Sequence, residues 1–313
     1  MIKAAFLFPG QGSQSIGMGK DLHDNFAEAR EVYETASRVL GYDVAGLSFN
    51  GPAESLNETV RTQPCLLTAG YAAFKVLASK GIVPAMLAGH SLGEYTAAVA
   101  SGAISFEDAL KITELRGRLM QEAVPVGAGL MAAVLGLSRE GVIKACAEVK
   151  SGYAAPANFN CPGQIVISGE RAAVEEAVTL LKAAGAKRVV PLEVSVPSHC
   201  KLMEQAGTKL LEFLSSKVSV SDPGIPVIGN ADAAPLSSAD GLKAALVKQL
   251  SNPVLWEDSL LLMSSQGVDV FIEAGPGTVL SGLVKRTLPG ATILNVQDSA
   301  SLEKTLAAVS SRF

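Results

Sequence analysis

The chain has 313 residues, 48% of them hydrophobic and 18% charged, with a formal net charge of -4. That length accommodates one large core with a smaller appended unit, and the acidic balance argues against a partner held by a global positive field, nucleic acid above all. The four cysteines, Cys65, Cys146, Cys161 and Cys200, follow no CxxC or metal-ligand spacing, so no metal site and no disulfide framework is expected, only free thiols in a reducing compartment.

In chain order, Ala4–Phe8 reads as a buried strand. The apolar run from Ile2 to Phe8 is too short for the core of a secretion signal, and Pro9-Gly10 breaks it. No apolar run approaches a membrane span, so the expected location is the cytoplasm. The loop Pro9-Gly10-Gln11-Gly12-Ser13-Gln14 is not a dinucleotide fingerprint, because position 15 is Ser15 rather than glycine. Nor is it a phosphate loop, since Gly19-Lys20 is followed by Asp21. It still offers backbone N–H groups at the end of a strand, where open α/β sheets bind ligands. One helix is expected over Asp21–Leu40, and another opening at Thr62-Gln63-Pro64, with proline in its first turn, and running to about Ser79.

The next stretch carries the chemistry. Pro84–Ala88 is a short apolar strand and Tyr95–Ala100 a small-residue helix. Between them, Gly89-His90-Ser91-Leu92-Gly93 has the GxSxG pattern of a nucleophile elbow, a sharp strand-to-helix turn that exposes a serine hydroxyl above a helix N-terminus. Phe106–Ala123 is a strongly periodic helix carrying Arg116, Gly117 and Arg118, and Pro125–Gly129 ends it. The pattern alone does not separate a functional Arg116 from a solvated helix charge.

From Leu130 the texture changes. Strands at Leu130–Leu137, Tyr153–Phe159, Gln164–Ser168 and Lys187–Leu192, with helices at Arg139–Val149 and Arg171–Ala184, give the order βαββαβ of a ferredoxin-like unit. We place it at residues 127–196, inserted in a larger domain made of residues 1–126 and 197–313. Ile225–Gly229, Val268–Ile272 and Thr292–Val296 are further strands of that larger domain, before a terminal helix. The expected class is α/β, a parallel sheet covered on both faces.

A serine nucleophile needs a base, and the chain has three histidines. His23 belongs to the first helix, a solvated position, and His90 points away from the face of Ser91. His199, in a loop after the inserted unit, follows the serine in the order of α/β-hydrolase sites and is the base by elimination. As base it would make activity fall as pH drops through an ordinary imidazole pKa. No acid stands out to orient it, so a Ser-His dyad with a backbone or amide acceptor at Nδ1 is expected. The oxyanion hole would use the Leu92 N–H and a second N–H, for which the Gln11 loop is the candidate.

Taken together, these stretches resemble the malonyl-CoA:acyl-carrier-protein transacylases of fatty-acid synthesis. The matching segments run in order along the whole chain: Phe8–Gln14, Thr62-Gln63-Pro64, Gly89–Glu94, Arg116–Gln121, Asn160–Gln164, Val196–His199, Gln249–Trp256 and Glu273–Gly277. The resemblance implies an α/β-hydrolase-like core, with Ser91 as the acylated nucleophile, His199 as base, and Gln11 and Leu92 as oxyanion donors. It implies that Arg116 grips the malonyl carboxylate, that the Gln249 carbonyl orients His199, and that Gln63 and Asn160 line the pocket. The substrates would be malonyl-CoA and acyl carrier protein, with no metal or bound cofactor, no nucleic acid and no membrane, and the chain would act as a monomer. Pro197-Ser198-His199 is closer to the discrete fatty-acid enzymes than to modular polyketide acyltransferases. A trans-acting polyketide acyltransferase, a serine thioesterase or esterase, and a non-enzymatic carrier-binding module are the alternatives. Lys187-Arg188 and Lys285-Arg286 are the candidate docking pairs for an acidic carrier.

Overall fold

The computed structural model describes residues 3–192 and 196–310. Its first part holds β1 (Ala4–Phe8), α1 (Lys20–Asn25), α2 (Ala27–Leu40), α3 (Val44–Asn50), α4 (Ala53–Leu56), α5 (Thr59–Ser79), β2 (Met86–Gly89), α6 (Gly93–Ala100) and α7 (Phe106–Ala123). Then come β3 (Gly129–Leu135), α8 (Arg139–Ala147), β4 (Ala154–Cys161), β5 (Gln164–Glu170), α9 (Arg171–Ala183) and β6 (Arg188–Pro191). After a 3₁₀ turn at Lys201–Met203 follow α10 (Glu204–Lys217), β7 (Val227–Ile228), β8 (Pro235–Leu236), α11 (Ala239–Ser251), β9 (Val254–Leu255), α12 (Trp256–Ser265), β10 (Val270–Ala274), α13 (Val279–Thr287), β11 (Thr292–Val296) and α14 (Ser299–Ser310).

Six strands form one sheet in the order β11-β10-β1-β2-β7-β8, parallel except for the β7–β8 pair. All of β1 is buried, since helices cover both faces. Phe6 and Phe8 enter a cluster with Tyr33, Leu66 and Tyr95. Ala5 and Leu7, pointing the other way, meet Trp256, Leu260 and Leu283. The register pairs Phe8 with Gly89, and the His90 N–H donates to the Phe8 carbonyl at 3.0 Å. The loop after β1 and the elbow after β2 therefore emerge side by side.

The second sheet has the order β6-β3-β5-β4-β9. Its first four strands pair antiparallel, and β9 joins parallel to β4 through Asn158 and Val254. Helices α8 and α9 cover one face, where Val142, Val174 and Leu181 meet Ala132, Val134, Ile165 and Ile167. The alternate residues Met131 and Val166 turn to the opposite face and form part of a cavity wall between the sheets. Arg139 of α8 and Asp258 of α12 clasp each other by two parallel bonds, 3.2 and 2.6 Å long.

Several boundaries differ from the sequence reading. The stretch 21–40 is two helices, because Phe26 is extended (φ -129°, ψ 126°) and ends one while starting the next. Pro64 does not lie in a first turn: α5 already begins at Thr59, and the Thr62 N–H donates to the Glu58 carbonyl while its hydroxyl donates to the Leu56 carbonyl at 2.6 Å. β3 stops at Leu135 rather than 137 because Gly136 has φ 81°, and Ser138 then caps α8 by accepting from the Gly141 N–H. The strand expected at 225–229 contracts to β7. Residues 193–195, within the expected end of the inserted unit, lie outside the described residues. No described helix is long and apolar enough to cross a membrane.

Candidate active site

The elbow follows from close packing. A Cβ on Gly89 would collide with the Gly93 carbonyl, and one on Gly93 with the Phe8 carbonyl, so β2, α6 and β1 approach as closely as backbone allows. Between these glycines Ser91 has φ 52°, a left-handed conformation that costs about 1–3 kcal/mol in a non-glycine residue. Two side chains hold its peptide in place. Asn230 Oδ1 accepts the Ser91 N–H at 2.7 Å, and Gln249 Nε2 donates to the Ser91 carbonyl at 2.9 Å. Asn230 Nδ2 also donates to the Gly89 carbonyl at 2.7 Å, so one amide spans the turn.

His199 is likewise left-handed, at φ 59°, and its N–H donates to the Leu250 carbonyl at 3.0 Å. Its Nδ1 lies 2.7 Å from the Gln249 carbonyl and its Nε2 2.8 Å from Ser91 Oγ. A carbonyl only accepts, so Nδ1 carries the proton and the Nε2 lone pair faces the serine hydroxyl. Burial, and then the Arg116 cation, push His199 down to about 3. The expectation of an ordinary imidazole pKa is therefore corrected: His199 is neutral, and ready to accept a proton, throughout the physiological range.

Arg116 is 1% exposed. Its Nη2 donates to Ser91 Oγ at 3.2 Å and to Gln249 Oε1 at 2.9 Å. Its Nε has no partner among the described residues, and the guanidinium takes part in none of the described ion pairs. It faces a cavity of about 210 Å³ together with Gln11, His90, Ser91, Asn160 and His199. Arg118, two positions on, points to solvent. A desolvated guanidinium without a carboxylate is a ready receptor for an anion entering the cavity.

The remaining sequence candidates fall into place around this centre. Leu92 opens α6 and Gln11 sits in the loop after β1; among the described residues neither backbone N–H has an acceptor. Asn160 lines the cavity and its Oδ1 lies 2.9 Å from His90 Nε2, while the His90 ring meets Trp256 edge-on; His90, expected to point away from Ser91, instead lines the same cavity, where Asn160 holds it. Gln63 is fully buried behind the wall, its Nε2 donating to the sulfur of the cavity residue Met120, so it supports the lining rather than forming it. His23 is remote, bonded to Asp24 and packed against Tyr33 and Phe49.

Comparison with known proteins decides the family. The model of the acyl transferase domain matches residues 5–305. The chain belongs to the acyl transferase domain family. The malonyl CoA-acyl carrier protein transacylase of Escherichia coli (strain K12) is 47% identical over 308 residues, which is 98% of this chain and 99% of that protein. The crystal structure of an acyl carrier protein S-malonyltransferase from Vibrio cholerae O1 superposes with a TM-score of 0.95 at 48% identity, covering 97% of this chain and 99% of that one. A malonyl-transacylase solved in complex with its type II PKS acyl-carrier protein matches with a TM-score of 0.95 at 47% identity, covering 98% and 99% of the two chains.

Two residues of this acyl transferase went unrecognised in the sequence. Asn230 clamps the elbow from 139 positions away, and Glu94 is buried in the first turn of α6, its carboxyl pushed up to about 8 mainly by burial. One member of each basic pair lines the same shallow depression: Lys187 and Arg286, together with Gly136 and Pro162. Arg286 also donates to Gln164, which lines the cavity, at 2.9 Å.

Proposed function

We propose that this acyl transferase moves the malonyl group of malonyl-CoA to the phosphopantetheine thiol of acyl carrier protein, supplying malonyl-carrier for fatty-acid elongation. The observation that carries this reading is the unpaired, buried Arg116 bonded to the hydroxyl of Ser91. It fits an acyl group with a free carboxylate one carbon beyond the reacting carbonyl. Nε2 of His199 takes the Ser91 proton as Oγ adds to the thioester carbon. The oxyanion forms within reach of the Leu92 and Gln11 N–H groups. The tetrahedral species collapses, the carbon–sulfur bond breaks, and coenzyme A leaves as the thiol with the proton held by His199. The carrier thiol then attacks the malonyl-Ser91 ester by the same steps, returning the serine. Arg116 holds the carboxylate throughout, Gln249 keeps His199 aligned, and Asn160, locked to His90, shapes the pocket wall. No step requires a metal or bound cofactor.

The strand orders support an α/β-hydrolase-like core from residues 1–126 and 197–313, and a ferredoxin-like unit at 127–196 whose helix-free sheet face walls the cleft. An acidic carrier would dock over the Lys187–Arg286 depression, beside the cavity. Among the described residues the exposed large apolar side chains are widely separated in sequence, in keeping with a monomer, and the reading places the protein in the cytoplasm. The test is intact-protein mass spectrometry after brief exposure to malonyl-CoA. One malonyl adduct is expected on the peptide containing Ser91, and none in Ser91→Ala. Full transfer by Ser91→Ala would end the covalent mechanism, and steady release of free malonate at the rate of coenzyme A release would make the protein a thioesterase.

A further inference from the structure

Glu94 has no part in the transfer chemistry above, yet it is fully buried beside it. Its Oε2 accepts the Asn230 backbone N–H at 3.3 Å and Gln249 Nε2 at 3.2 Å. These are the two residues that clamp the Ser91 peptide, Asn230 on its N–H and Gln249 on its carbonyl. Gln249 further holds Arg116 through Oε1 and His199 through its backbone carbonyl. One carboxyl thus gathers both clamps of a serine whose backbone is strained.

We propose that Glu94 is a positioning residue for the Ser91–His199 pair, tying Asn230 and Gln249 together around the strained serine, and that it acts as the neutral acid. Its Oε1 meets no donor among the described residues, and Glu94 enters no described ion pair. A carboxylate there would be a desolvated charge with no ion pair and with one oxygen unmatched, whereas a carboxylic acid leaves only a hydroxyl unmatched. The titratable and charged groups that face it are Arg116 on α7, which favours ionisation, Asp232 after β7, which opposes it, and the adjacent Tyr95. Burial outweighs them and pushes the acid up to about 8. Below that pH Glu94 is neutral and the clamp is intact. Above it the new negative charge draws the Arg116 guanidinium away from Ser91 Oγ and Gln249 Oε1, and the clamp loosens.

This inference rests on Ser91 being the nucleophile and His199 its base, but not on the identity of the acyl donor. The test therefore uses phenylmethylsulfonyl fluoride, which sulfonylates an activated serine, with labelling followed by intact mass between pH 6.5 and 9.5. Glu94→Ala is expected to label at least tenfold more slowly than wild type at pH 7. Glu94→Gln keeps the accepting oxygen and cannot ionise, so it is expected to rescue labelling to within threefold. The rate ratio of Glu94→Gln to wild type should then rise at least tenfold by pH 9.5, because only the wild type loses its clamp; serine chemistry common to both cancels. A ratio that stays flat with pH overturns the proposal, even where Glu94→Ala fails to fold. Labelling by Glu94→Ala at the wild-type rate also overturns it. Failure of wild type to label above a Ser91→Ala control would overturn the nucleophile reading with it, whereas labelling without malonyl transfer would count only against the malonyl donor.

Discussion

Replacing Arg116 tests what selects the acyl group. A guanidinium only 1% exposed can pair only with an anion that is itself desolvated. An exposed pair would contribute about 0–1 kcal/mol, but removing one partner of a buried pair costs about 3–5 kcal/mol, because the other charge is left stranded. At about 1.4 kcal/mol per decade, that is two to nearly four orders of magnitude in kcat/KM for malonyl-CoA. Arg116→Ala also strips a donor from Ser91 Oγ and Gln249 Oε1, a loss shared by every acyl donor. Hydrogen bonds to a charged group are worth about 1.5–3 kcal/mol, so acetyl-CoA should lose one to two orders. The expected outcome is a selectivity ratio shifted toward acetyl-CoA by at least a hundredfold, with malonyl transfer falling by three orders or more. Arg116→Lys should recover less than a tenth of the malonyl rate, since an ammonium cannot make two parallel bonds to a carboxylate. The assay is coenzyme A release at subsaturating malonyl-CoA and acetyl-CoA for wild type and both variants. If both substrates fall together with an unchanged ratio, Arg116 supports the structure and does not choose the substrate.

Three further outcomes are expected. His199→Ala should slow acylation by several orders of magnitude while His23→Ala leaves it nearly unchanged, as judged by rapid-quench mass spectrometry. Because His199 is depressed from 6.5 to about 3 in the folded chain, it stabilises the fold above pH 6.5 and that contribution drains away as pH falls toward 3. Urea midpoints should decline over that range in wild type and less steeply in His199→Ala, and acylation in wild type should show no imidazole step between pH 5.5 and 7.5. Charge reversal at Lys187 together with Arg286 should raise the apparent KM for acyl carrier protein by roughly threefold to tenfold, a rim-charge effect, and leave the malonyl-CoA half-reaction within twofold; equal effects on both halves would remove the docking assignment.

The parts of the site readable in the sequence are those whose chemistry is local. GxSxG is a statement about backbone crowding within five consecutive residues, and three histidines left a short search for the base. Arg116 and Arg118 could not be separated because both belong to one charged helix; they project in different directions, and only the packed helix reveals that one is buried and the other solvated. Asn230 was invisible for the opposite reason. An asparagine after a short strand looks like a turn residue, and its bond to Ser91 spans 139 positions. Among the elements, the exposed helix α9 and the periodic α7 were legible from their polar faces. α12 was not, because Trp256–Ser265 presents apolar residues around most of its girth and has no clear stripe. Pro64 misled about a helix start: the first turn before it, Thr59–Gln63, has no capping side chain to announce it.

The two-residue strand β9 has a consequence for anyone who would trade parts between acyl transferases. The outermost strand of the second sheet does not come from the stretch that builds the rest of it; Val254 and Leu255 arrive from far downstream, and Asp258 brings the clasp on Arg139 with them. A chimera that transplants residues 127–196 alone would leave Asn158 and Phe159 facing a foreign edge and Arg139 facing a foreign helix. The exchangeable cassette is discontinuous, and a graft meant to reshape the cleft should carry 254–258 along with the contiguous segment.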